Sequence, residues 1–366
     1  MSGDFLPRFG NQAVLSLQPY QAGKPIEELT RELGIKDVIK LASNENPRGP
    51  GEGVRAALAR AATQLSRYPD ANGYRLKRAL AAHLSVAPEM ITLGNGSNDV
   101  LELVAAIALS PGAEAIVAAH AFVVYPLAVI AHGGTLVTVP ASDWGCDLEA
   151  MAAAIKPTTR LVFIANPNNP TGTWVARDAL VAVLDRVPAH VLVVLDEAYF
   201  EYVTQPDYPN GVALLARYPN LVVTRTFSKI HGLAALRVGY AVSSPKIADV
   251  LNRVRQPFNV SSIGLECAEA ALADRDFVAT SKRLNAEGMT QLTRGLEQLG
   301  VAYIPSAGNF LSIDLKRPAR PIYDALLELG VIVRPIESYG MPNHLRVTIG
   351  LKDENARFLD SLVQVL

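Results

Sequence analysis

Three short runs constrain the fold of this chain more than any other feature: residues 160–165 (RLVFIA), 191–195 (VLVVL) and 221–225 (LVVTR). Each is almost continuously apolar and rich in Val and Leu, without the alternation of a strand that faces water on one side. Strands of this kind are buried on both faces, and that requires helices above and below the sheet. Amphipathic stretches lie between the runs, residues 177–187 among them, and supply the crossovers that parallel strands need. Residues 90–93, 115–118 and 135–139 read as further strands. After residue 93, Gly94-Asn95-Gly96 leads into a helix capped by Ser97 or Asn98, whose Val100, Leu101, Val104, Ile107 and Ala108 share one face. The pattern predicts an α/β domain with a mostly parallel central sheet over about residues 29–255.

Beyond Pro257 the pattern changes. Residues 264–273 and 277–299 read as long helices. Strands follow at 302–304 and 310–314, a helix at 322–329, strands at 331–334 and 345–349, and a final helix. This order predicts a smaller α+β domain over residues 256–366. Residues 1–28, with Gln18-Pro19-Tyr20 and Gly23-Lys24-Pro25, read as an extended arm. A chain of 366 residues exceeds one compact core and suits two unequal domains.

Composition narrows the function classes. A formal net charge of -1 offers no electrostatic footprint for nucleic acid. Cys146 and Cys267 form neither a zinc spacing nor a disulfide framework, so a reducing, cytoplasmic setting is expected. The six histidines are scattered, and no metal site is expected. Residues 1–17 lack the basic start and apolar core of a signal peptide. The most apolar stretch, 113–139, is broken by His120, Tyr125, Pro126, His132 and Gly133-Gly134, and no membrane span is expected.

Open α/β sheets bind ligands at the carboxyl ends of their strands, so the polar residues after each strand are the candidates. "GNGSND" (94–99) combines glycines that let a ligand approach with the start of a helix, which suits a phosphate; a plain glycine turn is the alternative. "NPNNPTG" (166–172) is either a rigid turn or a loop of preset shape that aims an amide. Asp196, at the end of a buried run, needs a partner: a helix N-terminus or a protonated ring nitrogen. In "TFSKIHGLAALRVGY" (226–240), Thr226, Ser228 and Arg237 can serve a phosphate dianion, and Lys229 stands between them.

The set "NPTG … DEAY … TFSK … LRVGY" resembles the fold-type I aminotransferases, in order and spacing and over nearly the whole chain. The resemblance implies pyridoxal 5′-phosphate as cofactor, held covalently by Lys229. The Lys229 amine, once displaced by the amino substrate, would shuttle a proton between the substrate Cα and the cofactor's C4′ carbon. Asp196 would pair with the ring nitrogen. Asn169 and Tyr199 would hydrogen-bond the ring's phenolic oxygen and tune the Schiff-base pKa. Phe122 would stack on the ring, and Ser97, Asn98, Thr226, Ser228 and Arg237 would hold the phosphate.

Within that superfamily, "LQPYQAGKPIEEL", "KLASNENPRGP", "RYPDANGY", "LGNGSNDVLEL" and "GVIVRPI … YGMPNHLRVTIG" resemble the histidinol-phosphate aminotransferase family. That implies amino-group exchange between histidinol phosphate and 2-oxoglutarate. Arg346 would bind the substrate's anionic end and Arg334 would be the second cation for its phosphate. Tyr20 and Asn44 would contact substrate. Tyr68 would reach the cofactor phosphate of the other subunit, making the active sites of a homodimer shared. Two departures from the family pattern stand out: Ser97-Asn98-Asp99 replaces a common Ala-Asp-Glu, and Phe122 replaces a common Tyr. An aromatic amino-acid aminotransferase and a threonine-phosphate decarboxylase-like enzyme share many of these motifs and are the alternatives.

Overall fold

The structure, a computed structural model, describes residues 12–19 and 23–366. Its centre is a seven-stranded sheet. In spatial order the strands are Ile91–Asn95, Val238–Ser243, Leu221–Thr226, Leu192–Asp196, Thr159–Ala165, Glu114–Ala118 and Thr135–Val139. Six run parallel; Val238–Ser243 is antiparallel to both its neighbours. The mostly parallel α/β sheet expected from the apolar runs is therefore present. The antiparallel strand was not anticipated. The link from Thr226 to Val238 holds no crossover helix, only a short 3-10 turn at Ala234–Leu236, so the chain reverses instead of crossing over.

The apolar runs are buried on both faces. Leu161 and Phe163 pack with Val194 and Val222 on one side of the sheet; Val162 and Ile164 pack with Val193, Leu195 and Val223 on the other. Helices Gly96–Ala108 and Val124–Ala131 cover the first side, and Ser262–Ala273 and Arg177–Leu184 belong to the second.

A second core gathers the C-terminal part. Strands Arg334–Pro335, His344–Thr348, Phe310–Asp314 and Ala302–Ile304 form an antiparallel sheet in that order. Leu311, Ile313, Leu345 and Val347 pack there with Leu292 and Leu296 of helix Arg275–Gln298 and with Phe358 and Leu362 of Lys352–Val365. The Asp274 carboxylate starts the long helix by accepting from the Phe277 amide at 2.9 Å. Leu29, Leu41 and Ala42 join this second core, and Ile39–Lys40 pairs in parallel with Val331–Ile332.

The strand expected at 331–334 is two pieces with different partners: Val331–Ile332 pairs with Ile39–Lys40, and Arg334–Pro335 pairs with the strand carrying Arg346. In the N-terminal region, Gln12–Ser16 is a short 3-10 turn and a helix begins at Ile26. Among the described residues no helix is long and apolar enough to cross a membrane.

Candidate active site

Parallel order brings the carboxyl ends of six strands to one edge of the sheet, and the antiparallel strand starts at that edge. Arg237, the residue before Val238, is thereby delivered beside Asn95 and Gly96. A cavity of about 190 Å³ opens there. It is lined by Asn44, Ser97, Asn98, Phe122, Asn169, Asp196, Tyr199, Thr226, Ser228, Lys229, Arg237, Arg334 and Arg346, residues from every part of the chain.

One end of the cavity is a cradle of donors. The helix Gly96–Ala108 begins here, with Asn95 as its N-cap, so Ser97 and Asn98 lie in the first turn and neither is the cap expected from sequence. Gly96 has φ +76°, and a Cβ on it would stand 2.4 Å from Arg237 Nη2. A Cβ on Gly239 would stand 2.3 Å from the Ser97 amide nitrogen. The two glycines let the helix N-terminus and the guanidinium close on one point. Arg237 donates to Ser228 Oγ at 3.3 Å, and the Ser228 amide donates to Thr226 Oγ1 at 3.1 Å. Free helix amides, hydroxyls and a guanidinium together form an anion site.

Asp196 lines the same cavity. It closes strand Leu192–Asp196 and is buried. Its carboxylate accepts from the Tyr125 hydroxyl at 2.8 Å and from Thr224 Oγ1 at 3.0 Å. Burial pushes this carboxyl up, while the Tyr125 and Thr224 hydrogen bonds pull against it. Such a group is best satisfied by a cation facing it.

Lys229 lies three residues beyond strand Leu221–Thr226. Its Nζ donates to the Ser43 carbonyl at 3.2 Å and sits 5.6 Å from the centre of the Tyr199 ring. Burial, aided by the charges of Arg346 and Arg237, lowers its pKa to about 8. Tyr199 is buried, its hydroxyl accepts from Asn44 Nδ2 at 2.9 Å, and burial pushes it up to about 12. Arg346 donates from Nη1 to Asn169 Oδ1 at 2.5 Å and from Nη2 to the Ala42 carbonyl at 2.6 Å. That leaves Asn169 the amide nitrogen as the end it can offer. Arg334 and Arg346 are register partners on adjacent antiparallel strands, so both buried guanidinium stems rise from the same face of the small sheet.

Phe122 lines the cavity and meets the Tyr125 ring edge-on, the centroids 5.8 Å apart. Tyr68 does not line it: this ring is 83% exposed and stacks on Phe258 at 4.7 Å. Tyr20 lies outside the described residues. Reading the sequence did not identify Tyr125, Thr224 or Tyr339. Tyr125 follows Phe122 by three residues and Thr224 precedes Thr226 by two, spacings that keep each near a residue already singled out. Tyr339 opens the run YGMPNHLRVTIG but was given no role there; its carbonyl meets His120 Nδ1 at 2.5 Å, across 219 residues of chain.

The family model for aminotransferase class I and II matches residues 36–362. Histidinol-phosphate aminotransferase 2 of Pseudomonas fluorescens (strain Pf0-1) is 56% identical over 368 aligned residues, covering 100% of this chain and 99% of the relative. Histidinol-phosphate aminotransferase 1 of Mannheimia succiniciproducens is 52% identical, covering 97% of each chain. Among solved structures, the histidinol-phosphate aminotransferase of Sinorhizobium meliloti, in complex with pyridoxal-5′-phosphate, superposes with a TM-score of 0.91 at 33% identity, over 98% of this chain and 97% of that one. With this motif order, this fold and relatives matched end to end, the chain belongs to the class I and II aminotransferases and, within them, to the histidinol-phosphate aminotransferase family.

Proposed function

We propose that this protein is a pyridoxal 5′-phosphate-dependent transaminase that exchanges an amino group between histidinol phosphate and 2-oxoglutarate, a step of histidine biosynthesis. The observation that carries the proposal is one cavity lined together by an anion cradle, a buried carboxylate, a lysine and two register-paired arginines.

The residues fit the cofactor. The cradle that a Cβ on Gly96 or Gly239 would fill suits its phosphate, with Ser97, Asn98, Thr226, Ser228 and Arg237 as ligands. When bound, pyridoxal phosphate supplies an electron sink for a carbanion at the substrate Cα. Asp196, braced by Tyr125 and Thr224, holds a proton on the ring nitrogen. Asn169 and Tyr199 would donate to the ring oxygen, and Phe122 would cover a ring face. Lys229 would anchor the cofactor and, with an amine near pKa 8, would serve as the base that moves the substrate Cα proton.

Arg346 takes the carboxylate of the keto-acid half-reaction and, with Arg334, the phosphate of the other. Asn44 and Tyr20 complete the substrate contacts. In a homodimer, the exposed Tyr68 would reach the partner's cofactor phosphate, making the active sites shared. We read the chain as an arm (1–28), a large domain (29–255) and a small domain (256–366); that Leu29, Leu41 and Ala42 pack with the C-terminal core supports grouping residues 29–42 with the small domain. Two free cysteines suit a cytoplasmic enzyme.

Steady-state kinetics of the holoenzyme test the substrate. Histidinol phosphate should exceed phenylalanine in kcat/KM by about a hundredfold or more, the equivalent of about 3 kcal/mol from two charge-assisted contacts. Equal or reversed preference would replace the proposal with an aromatic amino-acid aminotransferase. Carbon dioxide release without a keto-acid acceptor would replace it with a decarboxylase.

A further inference from the structure

We propose that Thr348 is a positioning residue: its hydroxyl fixes which way the Asn44 amide points, and so keeps the Tyr199 hydrogen available to donate into the cofactor cavity. The proposal rests on the reading of Tyr199 as a donor to the ring oxygen.

Asn44 is 1% exposed and Thr348 3%, so neither can trade a lost partner for water. The Asn44 backbone sits at φ +56°, a left-handed conformation that Asn tolerates better than most residues. It is held there by two side chains. The Asn44 amide N–H donates to Thr348 Oγ1 at 2.9 Å, and Asn309 Nδ2 donates to the Asn44 carbonyl at 3.0 Å. Thr348 also donates its hydroxyl hydrogen to Asn44 Oδ1 at 3.2 Å. A side-chain amide has one accepting end and one donating end. With Oδ1 turned to Thr348, Nδ2 faces Tyr199 and donates to its oxygen at 2.9 Å.

The direction of that last bond matters. A tyrosine oxygen that accepts from Asn44 keeps its own hydrogen to give elsewhere. Were the amide reversed, its oxygen would face Tyr199 and take that hydrogen. Thr348 therefore acts on the cofactor site through two side chains and is itself absent from the cavity lining. It stands two residues beyond Arg346 on strand His344–Thr348, on the same face. One strand thus carries a substrate-reading cation and the group that orients Tyr199.

The test is a pH titration of the absorbance of the resting holoenzyme. A donor to the ring oxygen stabilises its ionised form, so losing that donor raises the pH of the spectral transition. Asp196, Arg346, Arg237 and Glu45 are the charged groups around Lys229 and Tyr199, and all remain in every variant. Tyr199→Phe should raise the midpoint by on the order of one pH unit. Thr348→Val should raise it in the same direction, Thr348→Ser should restore it, and Thr348→Val added to Tyr199→Phe should shift it no further. A shift in Tyr199→Phe with none in Thr348→Val overturns the proposal alone. So does a failure of Thr348→Ser to restore the midpoint, or an undiminished further shift in the double variant. No shift in Tyr199→Phe overturns both this proposal and the reading of Tyr199. Should Thr348→Val not fold, Thr348→Ala is read in its place by the same criteria.

Discussion

A lysine in water is protonated at neutral pH and accepts no proton. Lys229 differs because its amine is enclosed by protein and faces Arg346 and Arg237, which lower its pKa to about 8. The neutral fraction therefore rises as pH passes through about 8, more than two units below an ordinary lysine. Capture of free pyridoxal phosphate by the apoenzyme, which needs the neutral amine, should accelerate with the same midpoint when followed by stopped-flow absorbance. A midpoint near 10 would show that the enclosure seen here does not govern the amine. Lys229 and Asp196 were legible in the sequence because each ends or follows an apolar run, where a charged residue demands a reason. Tyr125 and Thr224 were not. Each is an unremarkable member of its own helix or strand, and only folding brings both hydroxyls onto the Asp196 carboxylate.

Two elements carry the anion chemistry. The cradle depends on backbone meeting backbone: a Cβ on Gly239 would lie 2.3 Å from the Ser97 nitrogen and 2.5 Å from the Gly96 carbonyl carbon. Neither atom can yield as a flexible side chain would. Gly239→Ala should push the helix N-terminus off the strand and weaken pyridoxal phosphate binding at least about tenfold, with a stability loss of about 1–3 kcal/mol. Titration of the apoenzyme with cofactor, together with urea unfolding, measures both; unchanged affinity would remove the cradle from the account. The small sheet carries the second pair. Arg346 holds Asn169 and the Ala42 carbonyl, and with the proposed reading of the substrate's anionic end Arg346→Lys should slow both half-reactions. Arg334→Lys should slow the histidinol-phosphate half more than the glutamate half, by about 1.5–3 kcal/mol. Single-turnover kinetics of each half separate the cases, and equal losses for Arg334→Lys would exclude a phosphate role.

Across the molecule, the cofactor edge is pinned by an ion pair on the far side of Asp196. Glu197 accepts from Arg225 Nε at 2.9 Å and Nη2 at 2.7 Å, and from the Gly211 amide at 2.8 Å; Arg225 also donates to Asn210. Both side chains are buried, and the pair ties two strand ends to the loop beyond them. Arg225→Met would leave a carboxylate in the interior without its cation. The expected loss is about 3–5 kcal/mol in urea unfolding at neutral pH, with Glu197→Met in the same chain recovering much of it. A loss below about 1 kcal/mol would mean that water reaches the pair.

The layered α/β architecture and the placing of polar candidate residues at strand ends were determined by the sequence itself, because both depend on local signals. Val- and Leu-rich runs can only be covered on both faces, and a buried strand's end is where polar residues of unusual type stand out. Tertiary structure decided the rest. The antiparallel strand Val238–Ser243 could not be read from its composition, since strand direction depends on how the chain returns and not on which residues are apolar. The affiliation of Leu29, Leu41 and Ala42 with a core built some 250 residues later was equally hidden. The hydroxyl that meets the Asn44 amide belongs to Thr348, 304 residues away. Hydrogen-bond direction at a buried side chain is chosen by the neighbour that folding supplies, and no local pattern records that neighbour.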